Sequence, residues 1–510
     1  MEFIAANMAP LMFGSLVLFM LFGYPVAFAL AANGIVFGLI GIELGMLTPA
    51  LFQALPDRIF GVMSNDTLLA IPFFTFMGLI LERSGMAEDL LDTIGQLFGP
   101  VRGGLAFAVI FVGAILAATT GVVAASVISM GLISLPIMMR YGYDQRLATG
   151  VIAASGTLAQ IIPPSLVLII MADQLGRSVG DMYQGALIPG LVLTAFYVGY
   201  VALIAVFKPS AAPALPPEAR TLRGVKLLLR VLTSLVPPLM LIFLVLGTIF
   251  LGIATPTEGG AMGAFGALVM AVMRKRLSIS LLKQAMESTA KLTTFVIFIL
   301  IGARVFSLTF YGVEGHLWVE HLLADLPGGQ VGFLIVVNIL IFLLAFFLDF
   351  FELAFIVVPL LAPVAEKLGI DLIWFGVLLG VNMQTSFMHP PFGFALFYLR
   401  SVAPPAIKTT QIYWGAVPFV VIQVIMVGVL IAFPQLVTMG LDAQVKVDTD
   451  QVEIVVPDDA PQDDSPVQFD NEPGAGAAPA EGGEKDAIPA PNAEDDAAKA
   501  LEKALQGDKK

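Results

Sequence analysis

No cysteine occurs anywhere in the 510 residues, which excludes disulfide frameworks, thiol nucleophiles and thiolate metal sites together. Charge is nearly as scarce: 13% of the residues are Asp, Glu, Lys or Arg, against roughly 25% in an ordinary soluble domain. Histidine is limited to His316, His321 and His389. The first two flank Trp318 and fit a loop or interfacial helix better than a metal-ligand pair. Gly-Lys never occurs as a dipeptide, so no Walker A phosphate loop can be placed. Neither a nucleophile elbow nor a His-Glu metalloprotease pattern is found, and a membrane-enzyme reading has no catalytic constellation behind it. Met1 to Pro10 contain no Lys or Arg, so the basic start of a cleaved signal peptide is missing and the first span is expected to stay in the mature chain.

What is abundant is apolar surface. The chain is 58% hydrophobic with a mean hydropathy of +0.91, a composition that needs lipid as solvent. A helix must present about 20 apolar residues to cross a bilayer, and candidate stretches recur between Ala9 and Thr438. The chain is therefore predicted to be an all-α polytopic membrane protein. Its net charge of -13 is concentrated at one end: from Leu441 onward there are 18 acidic residues against 6 Lys, while residues 1–440 hold 21 acidic and 20 basic residues. That tail, rich in Ala, Pro, Gly, Asp and Glu, lacks the apolar surface to offset its ordering entropy. Residues 441–510 are expected to be a disordered acidic extension, and the near-neutral body offers nothing to nucleic acid.

The most polar break in the body, 208–230, carries Lys208, Arg220, Arg223, Lys226 and Arg230. A second basic cluster, Arg274, Lys275, Arg276 and Lys283, follows two apolar spans that turn around Thr255-Pro256-Thr257-Glu258. Basic short loops mark the cytoplasmic face, so both clusters are placed inside and the turn outside. One spaced pattern occurs twice at an offset of 227 residues: Pro136, Gly142, Asp144, Pro163 and Pro164, then Pro363, Gly369, Asp371, Pro390 and Pro391. Internal duplication is typical of secondary transporters, whose solute site lies at the repeat interface near the midplane. Residues 1–207 are read as the first inverted repeat, 208–230 as a cytoplasmic linker and 231–440 as the second. An odd number of crossings per repeat would put the N-terminus and the tail outside.

A Pro-Pro pair in an apolar helix removes two donors and clashes with the preceding turn. Two breaks are thus predicted, within unwound helices at about 147–171 and 372–399. Ser155, Gly156 and Thr157 precede the first, and Asn382, Gln384 and Thr385 precede the second. Irregular backbone at membrane depth is tolerated only where it is buried or lines a cavity, and its carbonyls with these neutral oxygens suit a dehydrated sodium ion. A kinked packing helix with polar cross-helix bonds is the plainer alternative. Upstream lie two irregular apolar stretches, one interrupted by Thr119, Thr120 and Gly121, the other by Asp349 and Glu352. Each is a candidate re-entrant hairpin, at about 90–136 and 331–363. A carboxylate at the bilayer centre costs about 2.5 to 3.5 kcal/mol, so Asp349 and Glu352 are either binding or coupling groups or mark a hairpin end at the water interface. Arg304 has two readings, a partner for one of them or for an anionic solute, and a snorkelling cation.

Three motifs, Gly156-Thr157-Leu158-Ala159-Gln160-Ile161-Ile162-Pro163-Pro164-Ser165, Gly252-Ile253-Ala254-Thr255-Pro256-Thr257-Glu258 and Pro390-Pro391-Phe392-Gly393, resemble the large membrane subunit of tripartite ATP-independent periplasmic (TRAP) transporters. The resemblance covers roughly residues 11–434. Leu79-Ile80-Leu81-Glu82-Arg83-Ser84-Gly85 with Ala118-Thr119-Thr120-Gly121 is most similar to the branch labelled mannitol/chloroaromatic or keto-acid. The first hairpin tip departs from the family's usual Ser-Gly-Ser-like run, and Gln160 and Gln384 stand where smaller residues are common.

The resemblance implies an elevator fold of the ion-transporter superfamily with two hairpins, and sodium-coupled uptake of a small organic anion across a bacterial or archaeal inner membrane. No cofactor beyond the coupling sodium is implied. It also implies two partners: a small four-helix membrane subunit and a periplasmic solute-binding protein. Carried over, its hairpin tips fall on Thr119 to Gly121 and Leu348 to Phe350, and its unwound segments on Ser155 to Thr157 and Asn382 to Thr385. A self-sufficient sodium- or proton-coupled carboxylate carrier of the same superfamily is the competing expectation, the proton version resting on Asp349 or Glu352.

Overall fold

In a computed structural model the sequence's long apolar runs fold into helices, with its Gly and Pro punctuation at many of the turns between them. Residues 2–324, 326–390 and 393–441 are described; Pro391 and the acidic tail from 442 lie outside them. No strand occurs among the described residues. The first half runs α1 (Glu2–Ala6), α2 (Met8–Leu21), α3 (Val26–Glu43), α4 (Leu55–Met63), α5 (Ala70–Arg83) and α6 (Met86–Phe98). It continues with α7 (Gly104–Thr120), α8 (Val123–Arg140), α9 (Gln145–Thr157), α10 (Leu166–Leu175) and α11 (Val179–Phe207). The second half runs α12 (Gly224–Phe250), α13 (Pro256–Met273), α14 (Ile279–Gly312), α15 (Gly315–Ala324), α16 (Gly329–Leu344) and α17 (Phe350–Glu352). It closes with α18 (Val358–Lys367), α19 (Leu372–Met383), α20 (Phe394–Val402), α21 (Thr409–Ala432) and α22 (Gln435–Thr438).

Six of these helices are long and apolar enough to cross a bilayer by length and composition, and up to eight if each bent pair counts as one span. That is fewer than the apolar stretches in the sequence, because several stretches are split by the breaks they carry. The chain is a polytopic all-α membrane protein, and its lipid-compatible exterior is visible in residues such as Phe207, Phe243 and Phe265, which are 77%, 79% and 69% exposed.

The 227-residue offset reappears in the helices. Gly142 and Gly369 both take left-handed φ, 78° and 73°, a conformation that costs other residues roughly 1 kcal/mol or more. Asp144 caps α9 by accepting from the amides of Arg146 and Leu147, and Asp371 caps α19 by accepting from Trp374. Side-chain capping of this kind contributes about 1 kcal/mol. Pro136 and Pro363 lie inside α8 and α18. Each of α9 and α19 ends in a short 3-10 turn, Leu158–Gln160 and Gln384–Phe387. The repeated residues thus do the same local work in both halves.

One end of the bundle is organised by the linker. Gly103 N–H donates to Ala212 O, Asp144 N–H to Ala211 O and Leu215 N–H to Gly99 O, each at 2.9 Å. Arg274 pairs with Asp89 at 2.9 Å, Arg230 approaches the same carboxylate at 3.4 Å, and Arg83 donates to Ser288. The basic residues of both clusters therefore share this end with Arg83, Arg140 and Arg146. At the opposite end Thr257 donates to Asp66 O, Asn65 to Asp173, Gln184 to Gly440 O and Lys367 to Glu320. Met8 and Leu47 pack near Gly41, and Leu47 packs near Gly312, which brings the N-terminal helices to this second end together with Leu441.

Candidate functional site

The first hairpin consists of α7 and α8 joined at Gly121 and Val122. It begins at Gly104, later than the sequence suggested, because α6 is a separate helix ended by the Gly99 to Gly103 turn. Gly121, at φ 59°, closes α7, and a Cβ there would sit 3.2 Å from Pro164 O. The hairpin tip therefore abuts the first Pro-Pro break. Thr119 is buried and its hydroxyl donates to Leu116 O at 3.1 Å; Thr120 is the last residue of α7. On the other side of the break Ser165 caps α10, donates to Gln160 O and offers its carbonyl to the Tyr183 hydroxyl.

The second hairpin runs from α16 through residues 345–349 into α17, a π-helical turn at Leu353–Val357 and α18. Its base is tied by Gln330, which donates to Leu368 O at 2.7 Å. Asn382, at the end of α19, donates to the backbone and side-chain oxygens of Asn338 on α16 at 2.7 and 2.8 Å. His389, just before Pro390, stacks on Phe346 with ring centroids 4.1 Å apart and meets the edge of Phe342 at 4.5 Å. So this hairpin also lies against the break of its own half.

The two breaks meet. Gln384 Nε2 donates to Thr157 Oγ1 at 3.0 Å, and these two residues are equivalent under the 227-residue offset. Thr157 in turn donates to Ala154 O, and Thr385 donates to Asn382 O at 2.7 Å. Thr157, Gln384 and Thr385 are fully buried. Gly156 permits the close packing of α9 on α8, since a Cβ there would fall 2.3 Å from Val127 Cγ2. Ser155 Oγ, Gln160 Oε1, Gln384 Oε1 and Gln423 Oε1 are buried without a hydrogen-bond partner among the described residues. Buried polar atoms left unmatched cost about 1 to 3 kcal/mol each, and three of these four oxygens belong to the residues of the two breaks, the fourth to α21 beside them. All are neutral oxygens, the donor type that hard monovalent and alkaline-earth cations take. Among the described residues no group of three or more His, Asp or Glu forms.

Asp349 and Glu352 sit at the second hairpin tip, half-buried. Glu352 N–H donates to Asp349 Oδ1 at 3.0 Å and Asp349 N–H to Glu352 Oε2 at 2.9 Å. This reciprocal capping box satisfies the first amides of the helical run that follows, and among the described residues neither carboxylate forms an ion pair within 4.0 Å. Arg304, on α14, forms no ion pair within 4.0 Å with either of them. Sequence reasoning did not single out Asn338, Tyr197, Met388 or Gln423. Gln423 Nε2 donates to the Tyr197 hydroxyl at 2.9 Å and approaches Met388 Sδ, which lies 3.8 Å from Thr157 Oγ1. The available signal was Gln423 itself, an amide in the middle of the apolar helix α21.

Residues 13–436 match the family model described as the tripartite ATP-independent periplasmic transporter, DctM component. A relative from Pseudomonas aeruginosa named C4-dicarboxylate TRAP transporter large permease protein DctM is 28% identical over 390 residues, spanning 76% of this chain and 89% of that protein. Its namesake from Vibrio cholerae is 30% identical over 442 residues, spanning 82% and 92%. Among solved structures, the Alcanivorax borkumensis YdaH transporter aligns with a TM-score of 0.54 at 16% identity, covering 82% of this chain and 98% of its own; at that identity the likeness concerns the fold.

Proposed function

The chain belongs to the DctM component family of tripartite ATP-independent periplasmic transporters, and from that premise we propose that it imports a small organic anion by sodium-coupled symport, with elevator-type alternating access. The observation that carries the reading is the junction of two helix breaks, 227 residues apart, through Gln384 and Thr157, with buried oxygens without partners on Ser155, Gln160 and Gln384 of the same breaks. Sodium is held in such sites by carbonyl and neutral side-chain oxygens that replace its water shell. The first ion would be held by the tip at Thr119 to Gly121 with Ser155, Gly156 and Thr157. The second would be held by the second hairpin tip with Asn382, Gln384 and Thr385, and the solute carboxylate would lie between them. Glycine and hydroxyl residues at these turns leave backbone carbonyls free to turn inward, and the hairpins exclude water by closing over the breaks.

In this reading the basic end faces the cytoplasm, so the N-terminal helices, Thr255 to Glu258 and Leu441 face the periplasm of a bacterial inner membrane. A periplasmic binding protein would deliver the solute at that face, and a small membrane subunit would cover part of the lipid-exposed flank. The organic anion is of the C4-dicarboxylate or keto-acid kind. In this reading Asp349 and Glu352 cap the helical run after the tip, each through one carboxylate oxygen, and sodium carries the coupling.

Sodium-dependent thermal stabilisation of the purified chain tests the ion sites. A ligand that binds the native state raises stability by about 2.7 kcal/mol at 100 times its dissociation constant. Sodium, and not potassium or choline at equal ionic strength, is expected to raise the melting temperature, and Gln384→Ala is expected to weaken the effect. Equal stabilisation by all three cations would remove the basis for the sodium reading.

A further inference from the structure

A cavity of about 340 Å³ separates α4 and α14 from α10, the second hairpin and the start of α19. It lies toward the end opposite the basic linker, where Asp173 on its wall accepts from Asn65. Its walls bring together Arg58 and Arg304 with Ser307, Tyr311, Asp173 and Gln174. The charge balance within it is unusual. Both oxygens of Asp173 are taken by amides, Asn65 Nδ2 at 2.6 Å and Gln174 Nε2 at 2.7 Å. Glu366, at the rim, is paired with Arg177 at 3.3 Å. Neither Arg58 nor Arg304 forms an ion pair within 4.0 Å among the described residues.

Arg304 is half-buried in the last third of a 34-residue apolar helix, eight residues before its end at Gly312, where a cation among apolar neighbours is expensive unless it meets an anion or a water-filled cavity. Its guanidinium presents a planar fork of donors suited to a carboxylate. We propose that this crevice is an outward-side docking point for the carboxylate of the transported solute, gripped by Arg304 with Arg58 across the cavity, before the solute reaches the helix breaks. The inference rests on the organic-anion reading above and adds the residues that would select for negative charge. The acidic groups nearby are held by amides or by Arg177, so they repel an incoming anion less than free carboxylates would.

The test uses the purified full chain and an arginine-selective reagent, phenylglyoxal, with modification of each arginine followed by peptide mass spectrometry. Succinate and pyruvate are the probe anions, and sodium chloride at matched ionic strength is the control. Arg304 and Arg58 are expected to be protected in a saturable way, while exposed Arg223 reacts at an unchanged rate. In reconstituted uptake, Arg304→Gln is expected to raise the apparent KM by about tenfold, the loss of one charge-assisted pair, with Arg304→Lys intermediate. No protection beyond chloride, equal protection at Arg223, or protection only by an added binding protein would each overturn the proposal. Uptake that needs neither sodium nor a binding protein would instead count against the transport reading, while leaving the protection result standing.

Discussion

Single atoms decide the character of the site. Gln384 is the residue whose removal isolates the junction most cleanly, because Thr157 keeps its bond to Ala154 O when the amide is lost. Gln384→Ala is expected to lower apparent sodium affinity by roughly tenfold, about the worth of one buried hydrogen bond, measured from the sodium dependence of uptake. Asp349 makes the opposite case. Asn caps helices about as well as Asp, so Asp349→Asn is expected to fold normally and keep sodium-driven uptake, whereas Asp349→Ala loses about 1 kcal/mol of stability. Abolished coupling in Asp349→Asn with normal folding would make the carboxylate a proton site. The sequence made Thr157, Asn382 and Gln384 legible as polar residues ahead of Pro-Pro pairs. It did not reveal Tyr197 or Gln423, because one polar residue in a long apolar helix has no partner visible in the linear order.

At the scale of elements, the breaks and hairpins follow from a few rigid residues. Pro163 and Pro164 deny the backbone two donors, so α9 and α10 cannot merge. Replacing both with Ala restores those donors. The double variant is expected to keep or raise its melting temperature while uptake falls at least about tenfold, and uptake at the wild-type level would show that the break is only packing. Gly369→Val, which forces a β-branched side chain into a left-handed turn at φ 73°, is expected to cost roughly 1 to 2 kcal/mol, read from the melting temperature. The repeat was legible because these turn residues are the same chemical types at both places. The hairpin starts were less so: Gly104 begins α7 after a turn whose Gly103 takes φ 78° and bonds to Ala212, and the weight of that Gly-Gly break against the apolar run around it could not be judged from the linear order.

For the whole molecule, the absence of native cysteine makes orientation directly measurable. Ser210→Cys in the linker and Ile253→Cys at the Thr-Pro-Thr-Glu turn are both at exposed positions. A membrane-impermeant maleimide added to intact cells is expected to label the second and spare the first. All-α architecture and the gathering of the basic clusters at one end could be read from composition alone, since each depends on transfer energy and loop charge. How the two halves interlock could not, because the Gln384 to Thr157 junction exists only after both halves have packed. The central claim is coupled import, and it is tested most directly by solute uptake into proteoliposomes holding this chain with its small membrane subunit. Uptake is expected only when an inward sodium gradient and the periplasmic binding protein are both present; uptake driven equally by a proton gradient, or proceeding without the binding protein, would contradict it.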